Sequence, residues 1–206
     1  MTITLHQGDI PANIDFGTSV AVDTETMGLN PVRDRLCLVQ LSAGDGNAHL
    51  VQLKPGQYDA PNLKKLLADK NVTKLFHFGR FDIAALWMYL NVLTAPVYCT
   101  KIASRIARTF TQHHSLKTLC SELLHVELDK QQQTTDWGAD TITPEQIKYA
   151  GNDVLYLHRL RTALDAMMIR EGRQHLAQAC FSFLPSRALL DVAGWGEDDI
   201  FSHGAS

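Results

Sequence analysis

Four absences narrow the possibilities before any motif is read. No apolar run approaches the eighteen or so residues that a membrane-spanning helix requires. The opening MTITLHQGDIP lacks the basic and apolar stretches of a secretory leader, so a soluble, cytoplasmic protein is expected. The four cysteines (Cys37, Cys99, Cys120, Cys180) include no CxxC pair, and a chain of 206 residues does not depend on disulfides. They read as buried thiols in a reducing compartment. No repeat, low-complexity tract or long linker interrupts the chain, so residues 1–206 are expected to form one domain. Positive charge is also short: 19 Lys and Arg against 22 Asp and Glu leave a formal net charge of −3. A groove that tracks a long phosphate backbone usually carries the opposite sign. Any nucleic acid bound here is therefore expected to be short and held by a few contacts.

What is present is a regular alternation of elements. SVAVDTE (19–25), LCLVQLSA (36–43) and AHLVQL (48–53) read as strands, the last two joined by the turn-like GDGN (44–47) into an antiparallel hairpin. In the second strand Leu36, Leu38 and Gln40 share one side. PNLKKLLAD (61–69) reads as an amphipathic helix opened by Pro61, KLFHF (74–78) as a short strand, FDIAALWMYL (81–90) as a helix and VYCT (97–100) as the last strand. From Thr100 on, the chain is mostly helical. Thr143, Pro144 and Gln146 make a capping box, predicting a helix from there to about Gly172. The order implies an α/β protein, a mixed central sheet flanked by helices.

The chemistry is concentrated in acids. Asp23 and Glu25 stand at i and i+2 near a strand end, so both point to the same face. Like charges that close repel unless a cation separates them. Tyr149 and Asp153 stand at i and i+4 on the helix begun at Thr143 and share its face. Gly151 between them is costly in a helix unless another backbone or a ligand approaches closely. Asp82 falls at a helix start, either as an acid favoured by the helix dipole or as a fourth metal ligand. Together these residues are the donor set that two Mg²⁺ or Mn²⁺ ions require, hard cations that take carboxylate oxygens and stabilise both sides of a phosphodiester cleavage.

The motifs VDTETMGL, HFGRFD and Tyr149-Ala-Gly-Asn-Asp153, with SLKTLCSELL (115–124), LDKQQQTTDW (128–137) and TPEQIKYAGNDVLYL (143–157) between and around them, resemble the ribonuclease D group of DEDDy 3′→5′ exonucleases. The resemblance implies a ribonuclease H-like fold and a catalytic set of Asp23, Glu25, Asp82, Tyr149 and Asp153. In it the four acids hold two ions per site and Tyr149 orients the attacking water. Leu29 would wedge between the last two bases; read without the family, it is a buried hydrophobe after a turn. Thr24 would join it in contacting substrate. Two features depart from ribonuclease D: no further helical domains follow the catalytic one, and DWGADTI (136–142) lacks the Arg and Pro of DWxxRPL. HQGD near the start, RDRLCLVQLSAGDG (33–46), CTKIASRIARTF (99–110), KQQQ (130–133) and the tail CFSFLPSRALLDVAGWGEDDIF (180–201) instead resemble a single-domain nanoRNase branch. That implies hydrolysis of diribonucleotides and other very short RNAs to mononucleotides by a ring-like homo-octamer. The alternative is a broader exonuclease acting on longer RNA or on DNA.

Other positions stay open. His77 and Arg80 contact phosphate or serve the structure. Lys101, Arg105 and Arg108 form one helix face, solvated or backbone-binding. Trp137 belongs to the core or lies near the site. His113-His114 reads as loop. Trp195, Ile200 and Phe201, in a tail from about residue 180 to 206, dock on their own domain or on a neighbouring subunit.

Overall fold

The computed structural model describes residues 2–128 and 135–203. The resemblance at KQQQ (130–133) lies outside them. The elements are β1 (Thr2–Gln7), β2 (Ser19–Thr26), β3 (Leu36–Ser42), β4 (Asn47–Gln52), α1 (Pro61–Ala68), β5 (Thr73–Phe76), α2 (Arg80–Leu90), β6 (Val97–Cys99), α3 (Thr100–Ala107), α4 (Leu116–Leu124), α5 (Pro144–Leu155), α6 (Leu157–Arg170), α7 (Gln174–Leu190) and a π-helical turn at Asp191–Trp195. The strands form one sheet in the order β1-β4-β3-β2-β5-β6. β3 is antiparallel to both neighbours; β1 runs parallel to β4, and β5 parallel to β2 and β6. The sheet is therefore mixed, as expected. None of the described helices is long and apolar enough to cross a membrane.

β3 is buried along its whole length, because helices cover the sheet on both faces. On one face Leu38 and Leu50 pack with Trp137, Ile142 and Ala150 beneath α5. On the other, Val39 and Val51 join a large cluster running from Ile10 to Ala188, which also takes in residues of α2, α3, α6 and α7. Residues one apart on a strand thus feed two different layers. Asp23 pairs with Gln40 and Glu25 with Leu38, so both acids lie on the α5 side. Thr24 points the other way, toward α2.

Four expectations need correction. TITLHQ, not assigned from sequence, is the edge strand β1, whose partner β4 lies forty-five positions away at Thr2↔Asn47. The helix begun at Thr143 does not run unbroken to Gly172. It breaks at Tyr156, whose φ of −106° and ψ of −6° separate α5 from α6. No glycine, proline or capping pattern marks that point, and the break lets α5 cross the sheet while α6 packs on α3 and α4. Arg108 is not on a solvated face: it is 2% exposed, pairs with Glu122 and donates to the His113 carbonyl. Cys180 is exposed, whereas Cys37, Cys99 and Cys120 are buried free thiols. The capping box stands as expected, the Thr143 hydroxyl accepting from Gln146 N while the Gln146 side chain accepts from Thr143 N. His113 and His114 lie in a loop.

Candidate active site

β2 delivers Asp23 and Glu25, and α5 lies over that face. Tyr149 and Asp153, one helical turn apart, both point down to it. Oxygens of Asp23, Glu25 and Asp153 come within 4.8 Å of one another. Gly151 permits the approach of α5: a Cβ there would sit 2.5 Å from Ile3 Cδ1. The close neighbour is thus a side chain of β1, not the backbone or ligand expected. Tyr149 stacks at a tilt on Trp137, ring centroids 6.1 Å apart, and Trp137 is buried. Trp137 is therefore both core and wall of the site.

Asp82 arrives from the opposite layer. It is buried in the first turn of α2 and accepts a 2.6 Å hydrogen bond from the Thr24 hydroxyl. Alternation along β2 thus turns Asp23 and Glu25 to α5 and Thr24 to Asp82. The hydroxyl of Thr24 thus braces that carboxylate, while Thr24 also lines the cleft. Gln40, buried opposite Asp23, reaches it at 3.5 Å.

The electrostatics are those of buried carboxylates that repel one another. Burial, then the charges of Asp82, Asp153 and Glu25, hold Asp23 well above the ordinary carboxylate range. Burial, then Asp153 and Asp82, push Glu25 up to about 9. Burial pushes Asp82 to about 7 against the lowering bond from Thr24. Tyr149 is also raised, by burial and then by Asp153. Hard oxygen donors that repel one another fit a divalent cation.

The cleft continues in two directions. On one side it is lined by His77, Lys101, Ser115, Lys117 and Leu128. His77 is fixed by a 2.9 Å hydrogen bond to Thr100, whose hydroxyl donates to the Phe76 carbonyl. Ser115 and Lys117 were missed in the sequence, although Ser115 caps α4 by accepting from Thr118 N and S-L-K-T is a readable helix start. On the other side lie Met27, Leu29, Phe78 and Trp137. Leu29 is 91% exposed, which excludes the buried reading. Its loop is braced: Asp34 accepts from Asn30 N at 3.0 Å and from Arg33, and Gly28 leaves no room for a Cβ beside the Asp34 carboxylate. The hydroxyl of Thr26 donates to the Gly28 carbonyl at 2.5 Å. A large apolar side chain is thus held out in water at the cleft rim.

Arg80 is engaged within the chain. Its guanidinium pairs with Asp191 and donates to the Gly196 carbonyl at 2.6 Å, and Arg187 joins the same Asp191 at 2.8 Å. This clasp fastens the tail onto the start of α2. Beyond it, Trp195, Ile200 and Phe201 remain 48%, 45% and 75% exposed, with Phe201 meeting the edge of Phe183. The tail is tied to its own domain by ion pairs, and its apolar side chains face outward.

A mixed sheet that brings three acids and a tyrosine to one strand end defines a metal-dependent phosphodiesterase class, and the family match agrees. Residues 10–169 match the 3′-5′ exonuclease family model, and the chain belongs to that family. Within it the chain is similar to Brucella melitensis NrnC. The NrnC structure bound to pGG has a TM-score of 0.96 and 52% identity, covering 99% of this chain and 100% of that one. The NrnC structure with bound Mg²⁺ has a TM-score of 0.95 and 51% identity, with the same coverage. Ribonuclease D of Acidiphilium cryptum is 34% identical over 75% of this chain and 39% of its own length. The chain thus spans about two-fifths of the ribonuclease D sequences it matches. The fold is the ribonuclease H-like arrangement of the DEDD exonucleases.

Proposed function

We propose that this protein is a metal-dependent 3′→5′ exoribonuclease that hydrolyses diribonucleotides and other very short RNAs to nucleoside monophosphates. The observation that carries the reading is the convergence of Asp23, Glu25 and Asp153 within 4.8 Å, under Tyr149, in a cleft. The short substrate draws support from the 52% identity to a protein whose structure holds pGG, and from a net charge of −3.

Asp23, Glu25 and Asp153 would hold the metal, with Asp82 supporting from behind Thr24. Two Mg²⁺ or Mn²⁺ ions, when bound, would offset the charge of the phosphodiester and of the leaving oxygen and make the attacking water more acidic. The hydroxyl of Tyr149 holds that water in line with the phosphorus, its proton kept by burial among carboxylates. Leu29 enters between the terminal bases and sets which bond lies over the acids. His77 and Lys101 meet substrate phosphate from the other side of the cleft. The water adds to phosphorus, the bond from phosphorus to the 3′ oxygen of the preceding nucleotide breaks, the 3′-terminal nucleotide is released as a 5′-monophosphate, and that 3′ oxygen takes up a proton equivalent to the one the water gives up.

Residues 1–206 act as one catalytic unit, since one core cluster runs from Ile10 to Ala188. A ring-like homo-octamer in the cytoplasm completes the reading. The outward-facing Trp195, Ile200 and Phe201 support assembly, and the free thiols support a reducing compartment. A stable monomer by light scattering would remove the ring.

The test is a timed Mg²⁺ digestion of 5′-labelled RNAs from dinucleotides to long oligomers, beside matched DNA. Dinucleotides are expected to disappear fastest. Equal or faster loss of long RNA or DNA would make the protein a broad exonuclease.

A further inference from the structure

Residues 135–143 form neither helix nor strand, yet they pass through the core. Trp137 and Ile142 are 4% and 5% exposed and pack with Leu38, Leu50 and Ala150. A buried segment without a ladder must find partners for its main chain elsewhere. The carbonyls of Asp136, Gly138, Ala139 and Asp140 are all taken by side chains. Gln146, on α5, donates to Asp136 O at 3.1 Å. Arg35, just before β3, donates to Gly138 O at 2.9 Å and to Leu53 O at 3.1 Å. Gln52, buried on β4, donates to Ala139 O at 3.0 Å and to Asp140 O at 3.3 Å, which uses both protons of its amide. Its side-chain oxygen accepts from Gln7 of β1 at 2.9 Å.

The two sides of this fastening belong to different layers. Gln146 is carried by α5 and moves with Tyr149 on the same helix. Gln52 and Arg35 belong to the sheet, and the Arg35 carbonyl accepts from Met27 N, just past Glu25. The segment therefore ties the helix that bears Tyr149 to the strands that bear the acids. Trp137 stands within it, its ring centroid 6.1 Å from that of Tyr149. The indole N–H has no hydrogen-bond partner among the described residues, so packing and the main chain set the place of the ring. Packing is non-directional, whereas hydrogen bonds to carbonyls on both sides of Trp137 fix its register.

We infer that Gln52 and Arg35 are positioning residues, which hold residues 138–140 against the sheet so that Trp137 backs Tyr149 in its place over the acids. The inference rests on the exonuclease reading above and names residues that act through Tyr149 without touching substrate. Neither lines the cleft. In-line attack is sensitive to small displacements, about a hundredfold in rate for an error of about 1 Å, so a loosened backing reaches kcat.

The test uses the full chain with Gln52→Met, Arg35→Met and Arg35→Lys, assayed on the diribonucleotide GG with Mg²⁺, alone and combined with Tyr149→Phe. Gln52→Met keeps an unbranched side chain of similar length and removes both amide protons. Its kcat is expected to fall about tenfold, with KM within about twofold of the wild type. Arg35→Met, at a half-buried position, should show the same split with a smaller loss, and Arg35→Lys, which keeps a donor, should recover most of it. In the Tyr149→Phe background neither Met substitution should lower kcat further, because the hydroxyl they position is gone. In a chain carrying Trp87→Phe and Trp195→Phe, where Trp137 alone emits, both Met substitutions should shift its fluorescence to the red. Unchanged kcat or unchanged emission in both Met variants would overturn the inference. So would a loss that falls on KM alone, or the same fold-loss in the Tyr149→Phe background. Should Gln52→Met fail to fold, Arg35→Met decides by the same readings. If the wild type itself leaves GG intact, the exonuclease reading has failed, whereas failure of the positioning role leaves wild-type turnover in place.

Discussion

Two buried charge clusters in this molecule behave oppositely. Lys74 is fully buried on β5, and its ammonium donates to the carbonyls of Asp69, Val72 and Ala95, each at 2.7 Å. Burial pulls it down to about 8, yet every one of its three protons is accepted by the chain itself. The acidic cluster stands otherwise. Asp23, Glu25, Asp82 and Asp153 raise one another by like charge, and the bonds from Thr24 and Gln40 offset that repulsion in part. A charge that the chain satisfies serves the fold. A charge that the chain leaves strained waits for something from outside.

Breaking the open cluster should destroy activity and spare the fold. Asp23→Asn or Glu25→Gln removes a proposed metal ligand together with a repulsive charge. Turnover of a diribonucleotide is expected to fall by about a thousandfold or more, equivalent to about 4 kcal/mol of transition-state stabilisation. Thermal unfolding without metal should be unchanged or rise. Near-normal turnover in either variant would refute the assignment of these acids to the metal.

Breaking the closed cluster should do the reverse. Lys74→Met fills a similar volume but takes the ammonium away from three carbonyls, of which that of Asp69 still accepts from Val72 N. An unsatisfied buried acceptor costs about 1–3 kcal/mol, partly offset by no longer burying a charge, so a net loss of about 2 kcal/mol is expected from denaturant unfolding. The kcat of the folded fraction should hold. A stability loss below about 1 kcal/mol would mean the cage is no tighter than an ordinary surface contact.

Tyr149→Phe lies between the two. It keeps the ring against Trp137 and removes only the hydroxyl proposed to orient water. A drop of about a hundredfold in kcat is expected, with unfolding little changed. Unaltered kinetics would reduce Tyr149 to a packing residue.

The sequence carried the open cluster further than the closed one. Asp23 and Glu25 are legible because strand alternation is strict, and Tyr149 and Asp153 because a capping box fixes their helix. That Asp82 joins them from the opposite layer depends on Thr24 pointing away from α5, which requires the sheet order. Lys74 reads as an ordinary polar residue in KLFHF, since its three acceptors are backbone groups spread from Asp69 to Ala95. Arg108 was hidden for a like reason, its partner Glu122 lying fourteen residues on. The edge strand β1 depends on a parallel partner far along the chain, a pairing that local periodicity does not reveal.

The sharpest separation of the two clusters is by pH, with and without metal. Glu25, near 4.5 when unfolded, is pushed to about 9 in the fold, Asp82 from 3.8 to about 7, and Asp23 is raised as well. A raised carboxyl binds its proton more tightly folded than unfolded. Its contribution is therefore fully present below the unfolded value and lost as pH rises through the folded one. In EDTA the Tm should fall by several degrees between about pH 5 and about pH 9, given the 2–4 °C that each kcal/mol moves a domain of this size. A divalent cation takes the place of those protons, so Mg²⁺ should raise Tm more at the alkaline end than at the acid end. Its binding should also release protons, which calorimetry in buffers of different ionisation enthalpy would register. Asp23→Asn should flatten both responses, whereas Lys74→Met, outside the site, should lower the curve without flattening it. A metal-free Tm that stays level across this range would show that the acids are already satisfied by the chain, and the two clusters would then be alike.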